Sequence, residues 1–111
     1  NPFFTESIYN LGLCYKNLGD YTKAIECYKK AIKTNPNHLK SYNNLAVCYI
    51  VLNDFENAYN FLQQCLQKNS NYSYALNNLG SVYIALKNHS QAKNCFEKLF
   101  LSNNGDFIQL S

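Results

Sequence analysis

Ile8-x-x-Leu11-Gly12-x-x-Tyr15 is written again as Tyr42-x-x-Leu45-Ala46-x-x-Tyr49 and as Leu76-x-x-Leu79-Gly80-x-x-Tyr83, each copy 34 residues after the last. A fixed period of this length marks stacked structural repeats. The register holds in the second half of each unit, where Ala24, Ala58 and Ala92 are followed four residues later by Tyr28, Leu62 and Phe96. Spacings of three, one and three put the first set on one face of a helix. Tyr21, Ala24, Tyr28, Ala31 and Ile32 trace a second such face, as do Phe55, Ala58, Leu62, Cys65 and Leu66 one period later. Each unit is therefore two amphipathic helices. First helices are expected over about 5–18, 39–52 and 73–86, and second helices over about 21–34, 55–68 and 89–102.

The connections carry their own chemistry. Gly19-Asp20, Asn53-Asp54 and Lys87-Asn88 pair a helix-ending position with an Asp or Asn able to cap the next helix's free N–H groups. Gly12, Ala46 and Gly80 let the two helices of a unit approach, with Ala24, Ala58 and Ala92 as the low ridge opposite, and a large side chain there would overpack the contact. Asn35, Asn69 and Asn103 fall at the expected ends of second helices, where asparagine tolerates a left-handed stop.

These residues resemble the tetratricopeptide repeat, whose apolar-x-x-Leu-Gly-x-x-Tyr, Ala-x-x-x-aromatic and closing Pro have this length; the match runs through three consecutive copies and nearly the whole chain. The resemblance implies an all-α superhelix, a right-turning solenoid with units at 5–38, 39–72 and 73–106. Asn1-Pro2 stands 34 residues before Asn35-Pro36, so residues 1–4 read as the close of a preceding unit, and Phe107-Ile108-Gln109-Leu110 reads as the start of a following helix. The expectation is a piece of a longer array. Its uncapped ends, with Phe3, Phe4, Phe100, Phe107 and Leu110, are expected to permit end-to-end self-association.

Composition narrows the function classes. A chain of 111 residues can bury one continuous core and meets the minimum of three stacked units. The longest wholly apolar run, Cys48 to Leu52, is far too short to cross a bilayer, and the start has no charged-then-apolar leader. Of the five cysteines, Cys14 and Cys48 share one repeat column, Cys27 and Cys95 another, and Cys65 replaces Ala31. There is no Cys-x-x-Cys and no His-x-x-x-His, so metal ligation is not expected, and the thiols read as reduced small apolar residues of a cytoplasmic or nuclear protein. No cofactor is expected. The seven acidic residues are scattered at turns and outer faces, and no Gly-rich phosphate loop, Ser-centred elbow or paired carboxylates appear, so no catalysis is expected within these residues.

What remains is surface. At about 100° per residue, the side of the first helices opposite their core face holds Glu6, Asn10, Leu13 and Asn17 beside Tyr9, then Lys40, Asn44, Val47 and Val51 beside Asn43, then Tyr74, Asn78, Ser81 and Ala85 beside Asn77. In the family these helices line the concave groove where partners lie. The expected peptide-binding residues are Tyr9, Asn10, Leu13, Lys40, Asn43, Asn44, Val47, Tyr74, Asn77, Asn78 and Ser81, and Leu13, Val47, Val51 and Tyr74 are apolar where the solenoid core has no use for them. Asn10, Asn44 and Asn78 form one invariant column, and an asparagine amide can pair with both C=O and N–H of an extended peptide. This resembles the asparagine ladders of O-linked N-acetylglucosamine transferase and kinesin light chain repeats. The bland account is composition, since asparagine fills roughly one position in six.

The function expected is a scaffold that binds an extended peptide or partner segment in the groove. An alternative is the substrate-recruiting region of a multidomain enzyme such as a glycosyltransferase, with catalysis elsewhere. In chaperone-binding members a terminal carboxylate is clamped by Lys, Arg and Asn at places that here hold Tyr9, Leu13, Asn44, Tyr74 and Asn78, so an EEVD tail is not the expected ligand. Nucleic acid and membrane are not expected partners. The formal charge is only +3, and Lys23, Lys29, Lys30 and Lys33 lie on a second helix away from the groove.

Overall fold

The computed structural model describes the backbone of residues 2–110 and the side chains of residues 3–102, and among these it forms six helices and no strand. They are α1 (Pro2–Asn17), α2 (Tyr21–Thr34), α3 (Leu39–Val51), α4 (Phe55–Lys68), α5 (Ser73–Ala85) and α6 (His89–Leu110). The all-α, helix-pair architecture expected from the period is what forms. α1 packs on α2, α3 on α4 and α5 on α6, while α2 meets α3, α4 meets α5, and α3 touches α5.

Three turns of one design close the pairs. Gly19, Asn53 and Lys87 take positive φ values of 82°, 61° and 63°. The next residue's N–H then reaches back five residues, Asp20 to the Tyr15 carbonyl at 2.9 Å, Asp54 to Tyr49 at 2.8 Å and Asn88 to Tyr83 at 2.8 Å. This is the hydrogen bond of a Schellman stop, which needs a left-handed residue and so favours Gly or Asn. The side chains of Asp20, Asp54 and Asn88 go on to accept from the N–H groups of Lys23, Asn57 and Gln91 at 3.2–3.3 Å, capping α2, α4 and α6.

Between pairs the stop differs from the one expected. Asn35 and Asn69 do cap α2 and α4, but with extended φ values of −142° and −148° in place of a left-handed conformation. Their side-chain oxygens accept from the N–H groups of Asn37 and Asn71 at 3.0 Å, so the asparagines act by closing side-chain turns. Asn103 does not stop a helix, because α6 runs unbroken to Leu110, past the expected end at 102, and residues 107–110 continue it. The side chains of Phe107 and Leu110 lie outside the described residues. At the other end α1 begins at Pro2, three residues earlier than the pattern indicated, with proline suited to a first helical turn.

The close-approach columns set the core. A Cβ on Gly12 would lie 2.7 Å from the Tyr28 ring, and one on Gly80 would lie 2.5 Å from the Phe96 ring. In the middle pair the same columns hold Ala46 and Leu62, both fully buried. A ring is thus matched by glycine and a leucine by alanine, which conserves volume across the contact. Burial also shows how far stacking extends. Leu45 and Leu79 are 0% and 4% exposed against the preceding pair, whereas Leu11 in the same column is 49% exposed.

All five cysteines are free. Cys48, Cys65 and Cys95 are packed as small apolar residues, and Cys27 is half-buried, but Cys14 is exposed, since among the described residues no helix lies against that side of α1. Burial raises the thiols of Cys48 and Cys65 to about 11. No described helix is long and apolar enough to cross a membrane.

Candidate functional site

Side chains from the first helix of every pair meet in one pocket of about 300 Å³, lined by Tyr9 of α1, Lys40, Asn43 and Asn44 of α3, and Tyr72 and Tyr74 at the start of α5. Five of its six residues belong to the set read from the sequence. Their exposure is uneven. Tyr9 and Asn43, expected as groove surface, are 8% and 9% exposed and contribute mainly from below, whereas Tyr74 is 69% exposed.

A hydrogen-bonded network organises the floor. The Asn44 amide donates to the Tyr9 hydroxyl at 3.0 Å and to the Lys40 carbonyl at 3.0 Å, while its oxygen accepts from the Lys16 ammonium at 2.7 Å. Asn78 donates its amide to the Asn43 oxygen at 2.7 Å. The invariant column is therefore not a row of equivalent open amides. Asn44 has both amide hydrogens and its oxygen engaged, and Asn78 has part of its capacity used. Asn10 is exposed and outside the pocket.

Tyr9 accepts from Asn44, and its own O–H is left to donate. Burial, and then the Glu6 charge, raise its pKa, so it stays a neutral donor in ordinary buffers. Its ring rests edge-on against His38 at 5.0 Å, and His38 in turn bonds Glu6 and Ser41, each at 2.7 Å, fixing α1 to the start of α3. Tyr72 and Tyr74 lie 5.7 Å apart and tilted, an aromatic wall of the pocket that Lys40 also lines. The Lys40 side chain is exposed and, among the described residues, has no hydrogen-bond or ion-pair partner.

The remaining expected residues surround this centre without joining the pocket. Val47 is half-buried, and Asn77 and Ser81 are exposed, with the Ser81 hydroxyl returned to the Asn77 carbonyl at 3.2 Å. Leu13 was expected to be surplus to the core, yet it packs against it. Lys16, Tyr72 and His38 were missed. Lys16 was passed over because its α-carbon sits beside the core face, although its long stem brings the charge into the groove. Tyr72 precedes α5 and so fell outside the counting of helix faces.

The arrangement offers an exposed cation, a neutral hydroxyl donor and aromatic surface, suited to holding carbonyl or carboxylate oxygens beside an apolar side chain. Among the described residues no three His, Cys, Asp or Glu gather as a metal site would require.

Comparison with known proteins places the chain. No curated protein matches it in sequence. The second tetratricopeptide domain of Spaghetti (RPAP3), solved bound to the HSP90 peptide SRMEEVD, is similar at 27% identity and a TM-score of 0.84, over 87% of this chain and 90% of that one. The first such domain of human RPAP3 is similar at 26% identity and a TM-score of 0.86, over 90% and 79%. MamA is similar at 27% identity and a TM-score of 0.82, over 90% of this chain and 58% of its own. Tetratricopeptide repeat family patterns match residues 5–38, 27–59 and 52–110, the last spanning more than half the chain. The chain belongs to the tetratricopeptide repeat family.

Proposed function

We propose that this chain is a protein-interaction module that binds an extended segment of a partner along the face built by α1, α3 and α5. The observation that carries the reading is the convergence of all three first helices on one pocket with an unpaired Lys40 ammonium and the Tyr9 O–H. The RPAP3 domain bound to an HSP90 peptide supports a peptide as the kind of ligand.

Lys40 and the Tyr9 hydroxyl hold ligand oxygens, Tyr72 and Tyr74 take an apolar side chain, and Asn10, Asn77 and the Asn78 oxygen pair with peptide backbone beyond the pocket. Val47, Leu13, Ser81 and Asn43 shape the walls. The repeats thus work as a graded ladder whose central rung, Asn44, orients Lys16 and Tyr9 and does not grip the ligand. The places of a terminal-carboxylate clamp hold Tyr9, Leu13, Asn44, Tyr74 and Asn78, so an EEVD tail is not the preferred sequence.

Selection from a displayed library of peptides about a dozen residues long, followed by amide shift mapping, tests this. Selected peptides should perturb Tyr9, Lys40, Asn44 and Tyr74, bind more tightly than SRMEEVD, and lose about tenfold or more on Lys40→Ala with Tyr74→Ala, since each 1.4 kcal/mol is tenfold. Lys30→Ala with Lys33→Ala on α2 should change nothing. Peptides that map to α2, α4 or α6 would overturn the reading.

A further inference from the structure

We propose a second recognition site, at the edge of the array where the turns within pairs lie, which binds a lysine or arginine side chain of a protein partner. The argument starts from one column of the repeat, Tyr15, Tyr49 and Tyr83. In the first pair the Lys23 ammonium lies over the Tyr15 ring, 5.6 Å from its centroid. In the second, the Lys29 ammonium lies over the Tyr49 ring at 5.8 Å. An aromatic face attracts a cation through its quadrupole, so both rings carry a built-in partner.

Tyr83 has none. The residues one or two periods on from the two lysines are Gln91, in the place of Lys23, and Gln63, in the place of Lys29. Both cations are lost together at this one tyrosine. In their stead is an open pocket of about 520 Å³ lined by Glu56, Tyr59, Tyr83, Leu86, Asn88 and Gln91. Tyr59 meets Tyr83 edge-on, 5.9 Å between centroids and 67° between planes, giving the pocket two aromatic walls steeply inclined to each other.

The rim supplies the opposite charge. Glu56 is exposed and, among the described residues, has no hydrogen-bond or ion-pair partner. The matching residues of α2 and α6 are Thr22 and Ser90, and those matching Tyr59 are Ile25 and Lys93, so carboxylate and second ring occur together only here. Glu56 in the first turn of α4 also complements the helix dipole, which leaves its outer oxygen open to solvent. Two rings, one carboxylate, and the amide acceptors of Asn88 and Gln91 match the needs of an ammonium or guanidinium with its alkyl stem on Leu86. Lys87, in the adjoining turn, does not line the pocket.

The test is a titration of the whole chain with blocked Gly-Arg-Gly and Gly-Lys-Gly peptides, against Gly-citrulline-Gly as the neutral isostere, observing the ring resonances of Tyr59 and Tyr83. The cationic peptides should shift both rings and the citrulline peptide should not. Glu56→Gln should weaken the effect about threefold or more, as expected for loss of one charge partner. Gln91→Lys should abolish it by restoring the internal cation seen over Tyr15, and circular dichroism should show both variants folded. Equal shifts from the citrulline peptide, undiminished binding to Gln91→Lys, or no shift by roughly 50 mM cationic peptide would overturn the proposal. Groove variants at Lys40 and Tyr74 should leave these shifts unchanged, so failure here is distinct from failure at the groove.

Discussion

Gly12→Ala sets two effects of one methyl group against each other. On an open helix the change would stabilise by about 1 kcal/mol, since glycine is the poorer helix former. Here the new Cβ would stand 2.7, 3.0 and 3.1 Å from three atoms of the Tyr28 ring. Carbon atoms pack at about 3.5–4.0 Å, so the ring must retreat by about 1 Å. Tyr28 is fully buried and has no room for it. Overpacking of this kind costs about 1–3 kcal/mol, leaving a net loss of up to about 2 kcal/mol. The melting temperature should fall, by up to roughly 10 °C. Tyr28→Leu in the same chain should rescue the alanine, because Ala46 and Leu62 already occupy these columns in the middle pair, both fully buried. That second change also removes the Tyr28 hydroxyl, which is buried with no hydrogen-bond partner. Urea unfolding of the two single variants and the double, followed by circular dichroism, gives the coupling directly, and about 1 kcal/mol or more is expected. If Gly12→Ala raised stability whether or not Tyr28 was present, the volume match inferred between the columns would be wrong.

Lys87 holds a φ of 63° at a position where its two counterparts are Gly19 and Asn53, so Lys87→Gly should stabilise by roughly 0.5–1 kcal/mol in the same urea assay. Thiol labelling should divide the cysteines. Cys14 is exposed and should react in the native state, whereas Cys48 and Cys65, whose pKa values burial raises to about 11, stay protonated as pH rises through 8 and should react only on unfolding. Because a raised thiol pKa disfavours the thiolate in the fold, stability should decline as pH climbs from about 8.5 toward 11. Finally, Ser7, Leu11, Cys14 and Leu18 repeat residue for residue the Ser41, Leu45, Cys48 and Leu52 one period on, and Leu18 is 81% exposed. Sedimentation should therefore show concentration-dependent association that Leu11→Lys with Leu18→Lys suppresses; a strict monomer at high concentration would count against it.

The fold was legible because its determinants repeat. A small residue opposite a larger one, a cap after each stop and an apolar face every third or fourth residue each occur three times, and one copy checks the next. The site was legible only as a neighbourhood. Asn10, Asn44 and Asn78 are one letter in one column, yet the structure gives them three circumstances, because what surrounds each depends on residues that do not repeat. Lys16 reaches Asn44 at 2.7 Å, and the residues a period on, Ile50 and Ile84, could not do so at theirs. Helix α6 evaded the reading for a related reason: Asn103 was judged by its column mates, and Asn35 and Asn69 stop their helices only together with Pro36-Asn37 and Ser70-Asn71, neither of which follows Asn103.

The 49% exposure of Leu11 against the burial of Leu45 and Leu79 has a consequence for how binding is sensed. Helix pairs that touch only their neighbours lose order from the outside inward, so the α1 side should exchange its amide hydrogens sooner than α3 and α4. The groove pocket is complete only while α1 stays docked, because Tyr9 is its contribution from that helix. A ligand spanning α1 to α5 would therefore act as a clasp, converting an end that opens by itself into one that opens only when the whole array does. Partner occupancy would then be readable as slowed hydrogen exchange along the whole of α1, including amides the partner does not touch.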